Sequence, residues 1–291
     1  VFGTRPEVIK LSPVIMELKK HPDVFNPIIV NSGQHKELTR GILPIFGISE
    51  DEIKYDLDVM KAGRLLEQTL GDAISKLGAK VFDIEKPDIV VIQGDTYTTL
   101  AAKIAADYHQ IPVAYVEAGL RTYNMLYPFP EEINRQRATV GHRMTLYFAP
   151  SERAKTNLLE EGVPEGNIRV TGNTGIDALK IAEAKAADIS RLNLPKGKKI
   201  IVLTCHRREA VAWGMKVIFG AVKALAEKYQ DEIHFVFPVH LNPAVRQNAE
   251  RILSGVRNIQ LTEPLKYLEM ISLMKQSYLI VTDSGGIQEE A

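Results

Sequence analysis

Residues 88–122, "DIVVIQGDTYTTLAAKIAADYHQIPVAYVEAGLRT", decide the fold. Two short β-rich runs, 88–93 and 112–116, flank a longer stretch with helical spacing, and each run is apolar nearly throughout rather than alternating with polar residues. Strands of that kind are covered on both faces, which is the habit of parallel sheets crossed by helices. Polar residues follow directly: Gly94 and Asp95 after the first run, Glu117 after the second. In open parallel sheets ligands bind beyond the carboxyl ends of the strands. Asp95 and Glu117 are therefore expected to reach one crevice from two adjacent strands.

The same rhythm extends outward in both directions. "PIIV" (27–30), "LYFA" (146–149) and "IRVT" (168–171) read as further strands, and the opening "VFGTRPE" reads as the tail of a first one. After a Lys- and Ala-rich stretch the pattern restarts with "KIIVLT" (199–204), "IHFVFP" (233–238), "NIQL" (258–261) and "YLIVT" (278–282). This predicts an α/β protein of two doubly wound, Rossmann-like domains, 1–172 and 173–291.

Composition narrows the function. The 291 residues are 45% hydrophobic and 25% charged, ordinary soluble material with room for two cores. Lys plus Arg equals Asp plus Glu at 36 each, so no overall field draws the chain to nucleic acid or anionic lipid, and neither is expected as a partner. No apolar run approaches the roughly 18 residues of a membrane span and no secretory leader is legible, so a cytoplasmic location is expected. The single cysteine, Cys205, excludes an internal disulfide framework and a Cys-rich zinc site. No histidine spacing argues for a metal, and none is expected.

Residues placed just after the strands carry the chemistry. "FGTRPEVIK" puts Pro6 at a first helical position, Arg5 at the mouth of the crevice and Lys10 about one turn in, two cations suited to a diphosphate, although the segment by itself is better read as a solvated Arg and Lys at a helix start. "YPFPEEINRQ" starts a helix with Pro130 at its first position and Glu131 and Glu132 in its first turn. Glu132 reads as an acid favoured by the helix dipole, whereas Glu131, closing the long loop "AGLRTYNMLYPF", reads as a site residue. "LTCHRREA" sets His206 beside Arg207 and Arg208 as a donor to phosphate, with Cys205 on the opposite face, and "PVHLNP" adds His240. In "TDSGGIQEE", Gly285 and Gly286 bare the backbone N–H groups at a helix start to a pyrophosphate, and Glu290 suits ribose hydroxyls. A plain strand-to-helix turn with exposed acids fits that segment equally well.

Taken together, "FGTRPE", "SGQH", "GDTYTT", "VEAGLRT", "PFPEEINRQ", "TGNTGID", "HRRE", "PVHLNP" and "TDSGGIQEE" resemble, in order, the motifs of the non-hydrolysing UDP-N-acetylglucosamine 2-epimerase family. Each motif is a weak signature; the ordered set is specific. The resemblance implies two Rossmann-like domains facing a cleft in the GT-B manner, UDP held mostly by the second, and no added cofactor or metal. It implies interconversion of UDP-N-acetylglucosamine (UDP-GlcNAc) and UDP-N-acetylmannosamine (UDP-ManNAc), by elimination of UDP to 2-acetamidoglucal and re-addition, for cell-surface polysaccharide precursors. A C2 proton is not α to a carbonyl, so departure of the diphosphate is what makes its removal feasible. Inversion needs groups on both faces of the sugar, and Asp95, Glu117 and Glu131 match the family's acids, without a choice of base among them. His206 matches the site histidine, Arg5 and Lys10 the phosphate-side cations, and Ser284, Gly285, Gly286 and Glu290 the UDP turn.

The same resemblance implies a homodimer and a second UDP-GlcNAc bound as activator near Gln34, His35, Arg64, Arg207 and His240. It also implies further strands, an arginine-bearing segment and a long helix beyond residue 291, so the C-terminal part is expected to be missing. Ala210 stands where Asn is common, Met270 where an aromatic often packs on the base, and Glu37 where some members carry Gln. Three rival readings are a UDP-sugar glycosyltransferase, a hydrolysing relative that releases free sugar, and a non-catalytic nucleotide-sugar binding module. Three carboxylates at one crevice favour the epimerase over a transferase with one base.

Overall fold

Each strand pairing among the described residues is parallel, as the uninterrupted apolar runs predict. The computed structural model describes residues 1–34, 39, 41–61, 63–140, 144–185, 187–205 and 214–291. They fall into two units, Val1–Ala178 and Leu179–Ala291.

In the first unit β1 (Ile29–Asn31) pairs with β2 (Ile53–Asp56), while β3 (Val90–Gln93), β4 (Val113–Val116), β5 (Thr145–Ala149) and β6 (Ile168–Val170) follow one another across a second ladder. The opening residues join the two. Phe2 N donates to Val30 O (3.0 Å), Ser32 N donates to Phe2 O (2.7 Å), and Val1 N donates to Val91 O (3.0 Å). The spatial order is therefore β2, β1, Val1–Phe2, β3, β4, β5, β6, and the chain reverses direction of travel between Val1–Phe2 and β3. That reversal is a topological switch point, where a crevice opens at the carboxyl ends of the strands. β2 escapes the sequence pattern because "IKYD" alternates half-buried and exposed residues, as an edge strand does.

The core of this unit explains why the helix between β3 and β4 is so rich in small residues. Ala101, Ala102, Ala105 and Ala106 of the helix Tyr97–Tyr108 are all buried, and they let it lie close to Val90, Ile92, Val113 and Tyr115. Further out, Gly119 has φ +88°, and a Cβ there would stand 2.3 Å from Ala154 O, so only glycine lets the chain after β4 pass the start of the helix Glu152–Glu160.

In the second unit β7 (Lys199–Thr204), β8 (Ile233–Pro238), β9 (Ile259–Thr262) and β10 (Leu279–Thr282) lie in the order β10, β7, β8, β9. Alternate residues of β7 face opposite cores. Ile201 and Leu203 pack with Phe219, Phe235 and Phe237 on one side, and Ile200 and Val202 with Val236, Leu265 and Leu273 on the other. Removing one of the fully buried phenylalanines would cost about 3–5 kcal/mol. The switch point here falls between β7 and β10, whose ends are tied by the Thr204 and Thr282 hydroxyls at 2.5 Å. Met270, where the family often has an aromatic, packs against the second of these cores.

Two helix starts differ from the sequence expectation. The first helix is Arg5–Lys19 with Thr4 as its N-cap, so Pro6 is the second helical residue. The helix Glu131–Ala138 has Pro130 as its N-cap rather than its first residue. In both, the residue before the helix keeps a non-helical ψ.

Candidate active site

The first unit's switch point gathers charged groups from four elements. Asp95 follows β3, and its carboxylate accepts from Arg135 Nη2 at 2.5 Å, while its carbonyl accepts from Asn134 Nδ2 at 2.8 Å. Both partners lie on the helix Glu131–Ala138, which is thereby docked on the Asp95 turn. Burial works against the Arg135 charge, but Asp95 outweighs it and holds the guanidinium above its ordinary range.

Glu117 follows β4 and is ion-paired with Lys10, one turn and a half into the first helix; the two side chains are 10% and 14% exposed. Glu117 also has φ +64°, a left-handed backbone that a non-glycine residue adopts at a cost of about 1–3 kcal/mol. Such strain at a strand end is a feature of functional positions. Above it, Tyr115 donates its hydroxyl to Gly94 O at 2.7 Å, and burial, then the Asp95 charge, push that phenol well above its ordinary range.

Glu131 differs from the other two acids. Its Oε2 is buried and has no hydrogen-bond partner among the described residues. Asp95 and Glu117 are each held by a cation, whereas this oxygen has been taken out of water without compensation, an arrangement that a stability argument does not explain.

Its neighbour Glu132 does a different job from the one expected. It is fully buried, and it accepts from Thr122 N, Tyr123 N and Gln136 Nε2 at 3.0 Å each and from Arg135 Nη1 at 3.4 Å. Burial opposes its charge, yet these donors outweigh it and hold the carboxyl below its usual range. Glu132 thus pins the start of the loop that Glu131 closes. The dipole reading of Glu132 missed this, because the loop amides it holds lie about ten residues upstream with no local pattern.

Arg121, just before those amides, anchors the same end of that loop. Its guanidinium is wholly buried, bonded at 2.6 Å to both oxygens of Glu161 and at 2.5 Å to the Thr139 hydroxyl. Between these anchors the loop exposes Tyr123, Met125, Leu126, Tyr127 and Phe129.

Arg5 is exposed at the start of the first helix. Gly3, two residues before it, leaves no free room for a Cβ, which would lie 2.0 Å from Ser32 Oγ and 2.3 Å from Thr98 Oγ1. Gln34 accepts from Thr98 Oγ1 at 3.1 Å, and Arg64 is paired with Asp72 at 2.8 Å. His35, His206 and Arg207 lie outside the described residues.

In the second unit Ser284 caps the helix Gly285–Glu290, its Oγ accepting from Ile287 N at 3.5 Å. Among the described residues, a Cβ on Gly286 would meet only Ser284 Oγ, at 4.0 Å. Cys205 ends β7 beside Asp283, and burial first, then that carboxylate, push its thiol up to about 12. It is inert rather than nucleophilic. His240 is exposed, with Nδ1 accepting from Asn242 N at 3.1 Å. No cluster of metal-ligating side chains is present among the described residues.

Two parallel, doubly wound units with acids gathered at the switch point of the first define an α/β protein of GT-B type. Similarity to known proteins makes the assignment narrower. The chain belongs to the UDP-N-acetylglucosamine 2-epimerase family, whose model matches residues 16–291, and it is accordingly an epimerase. It is 44% identical over 299 residues to the UDP-N-acetylglucosamine 2-epimerase of Neisseria meningitidis, all of this chain against 78% of that protein. The Bacillus subtilis enzyme of the same name is 43% identical over the whole chain and 74% of its own length. The crystal structure of the N. meningitidis enzyme bound to UDP-GlcNAc superposes with a TM-score of 0.90 over 100% of this chain and 78% of that one, at 43% identity.

Proposed function

We propose that this chain interconverts UDP-GlcNAc and UDP-ManNAc by eliminating UDP across C1 and C2 to give 2-acetamidoglucal and adding it back with the proton on the other face. The observation that carries this reading is the unequal state of the three acids: Asp95 held by Arg135, Glu117 by Lys10, and Glu131 with a buried Oε2 that no donor meets among the described residues. Glu131 is therefore assigned the C2 proton.

Inversion needs a second group on the opposite face, and Glu117 fills that place. As the C1–O bond breaks, charge grows on the departing diphosphate, and Lys10 is drawn from Glu117 toward it. Glu117 becomes a better base at the moment a second proton carrier is needed. Arg5 and His206 stabilise the same leaving group, the histidine on family likeness alone. Ser284, Gly285 and Gly286 take the pyrophosphate, with Glu290 on the ribose.

The rest of the reading is a cytoplasmic homodimer that feeds cell-surface polysaccharide synthesis, with a second UDP-GlcNAc as activator on Gln34, His35, Arg64, Arg207 and His240. Sigmoidal dependence of rate on UDP-GlcNAc, lost in Arg64→Ala, would support the activator.

The test is proton NMR of the chain with UDP-GlcNAc in deuterated water. UDP-ManNAc carrying deuterium at C2 is the expected product. Free N-acetylmannosamine would instead indicate the hydrolysing reaction, and bound UDP-GlcNAc that never exchanges its C2 proton would indicate a binding module.

A further inference from the structure

Glu7 is buried, with 1% of its surface exposed, and the chemistry above does not use it. Its two oxygens serve two different segments. Oε2 accepts from Gly3 N (2.9 Å), Thr4 N (2.8 Å) and Thr4 Oγ1 (2.9 Å), all from the turn that presents Arg5. Oε1 accepts from Thr96 Oγ1 at 2.6 Å, on the turn that presents Asp95. The Thr99 hydroxyl lies 3.2 Å from the same oxygen but is only 2.5 Å from Gln93 O, so its one proton belongs mainly there. The link between the segments therefore rests on Thr96.

These two turns end Val1–Phe2 and β3, the pair that flanks the switch point. No backbone bond spans them beyond the strand ends among the described residues. A serine or threonine cap would satisfy either helix start singly. A fully buried carboxylate shared between both is costly to desolvate, as the upward displacement of its pKa by burial reflects. Its retention points to a task beyond capping.

We propose that Glu7 is a positioning residue that locks the Arg5 turn to the Asp95 turn, so that the anion-holding Arg5 and the turn on which the Glu131-bearing helix is docked share one rigid frame. The inference rests on the epimerase reading for its catalytic consequence, and on geometry alone for the lock.

Two substitutions at Thr96 separate the lock from simple helix capping. Thr96 Oγ1 accepts from Thr99 N as the N-cap of its own helix, as well as donating to Glu7. Thr96→Ser keeps both bonds. Thr96→Asp keeps the cap, since Asp caps as well as Thr, but when ionised it cannot donate and it repels Glu7. The expected result is wild-type turnover for Thr96→Ser. For Thr96→Asp, kcat should fall at least about tenfold with KM held within about twofold, as expected when an interaction made only in the transition state is lost.

Hydrogen exchange supplies a second readout independent of activity. In Thr96→Asp, the amides of Gly3 and Thr4, more than ninety residues away in sequence, should exchange at least about tenfold faster as Glu7 is displaced. Full kcat in Thr96→Asp would overturn the proposal, as would faster exchange confined to residues 96–100. If the wild-type chain leaves UDP-GlcNAc unchanged, the epimerase reading fails separately, and the exchange data still decide whether the lock exists.

Discussion

Glu131 and Glu132 are adjacent, chemically identical and expected to respond in opposite ways to the same change. Glu132→Gln replaces one oxygen by an NH2 group, and each oxygen of Glu132 now accepts two bonds: Oε2 from Thr122 N and Arg135, Oε1 from Tyr123 N and Gln136. Whichever way the amide turns, two buried donors face a third donor. At about 1–3 kcal/mol for each buried donor left unsatisfied, the cost is about 2–6 kcal/mol. For a domain of this size that lowers the unfolding midpoint by about 5–20 °C, at about 2–4 °C per kcal/mol. Glu131→Gln removes no hydrogen bond from Oε2 among the described residues, so it should cost far less stability than Glu132→Gln. Its kcat should nevertheless fall about 10²- to 10⁴-fold, the usual worth of a general acid–base group. Thermal unfolding followed by circular dichroism, beside turnover measured by NMR, gives both numbers for both variants. Equal loss of stability in the two would refute the unpartnered state of Glu131, and full turnover in Glu131→Gln would refute its role.

Stability should also depend on pH in a way these acids explain. Glu132 has a lowered folded-state pKa, so its contribution is full above the unfolded carboxylate value and disappears as pH falls through the depressed one; urea midpoints measured downward from neutrality should drop less steeply in Glu132→Gln. Glu7, raised by burial, has the opposite sign: what it contributes is full at low pH and is lost as pH rises toward its folded value. Gly3→Ala must force a Cβ against Ser32 and Thr98 and should cost about 1–3 kcal/mol in urea unfolding. Gly286→Ala should leave that midpoint unchanged and weaken UDP binding in calorimetry. Cys205 should resist a thiol reagent at pH 8 in the folded chain and react at once in guanidinium, since it is buried and its thiol lies near 12. Reaction in the folded state would mean that the end of β7 opens.

The parts of the fold legible in sequence are those built from local pattern. β7 and β8 coincide with "KIIVLT" and "IHFVFP" because both faces of each are buried, so hydrophobicity alone marks their ends. β2 lacked that signal, being half exposed. At the site, Asp95 and Glu117 could be placed on neighbouring strands because strand ends and sheet order follow from the βαβ unit, and β3 does pair with β4. Their cations could not be matched in advance. Arg135 meets Asp95 across forty residues and Lys10 meets Glu117 across 107, distances over which one sequence carries no periodicity to read. Glu7 and Glu132 were hidden for a related reason: an acid in the first turn of a helix reads as ordinary dipole chemistry, and only its burial shows that it holds another segment.

Val1 and Phe2 sit in the middle of the first sheet. Their partner on one side comes some thirty residues later, and on the other some ninety. The sheet cannot close in the order in which the polypeptide is made. β1 and β2 can gather early around Phe2, but the flank that will bear Asp95 stays a bare row of amides and carbonyls until β3 has left the ribosome. A long sequence separation of this kind slows folding and prolongs exposure of an unpaired strand. The crevice thus lies along a seam whose two sides are made some ninety residues apart, and the carboxylate of Glu7 is the stitch across it.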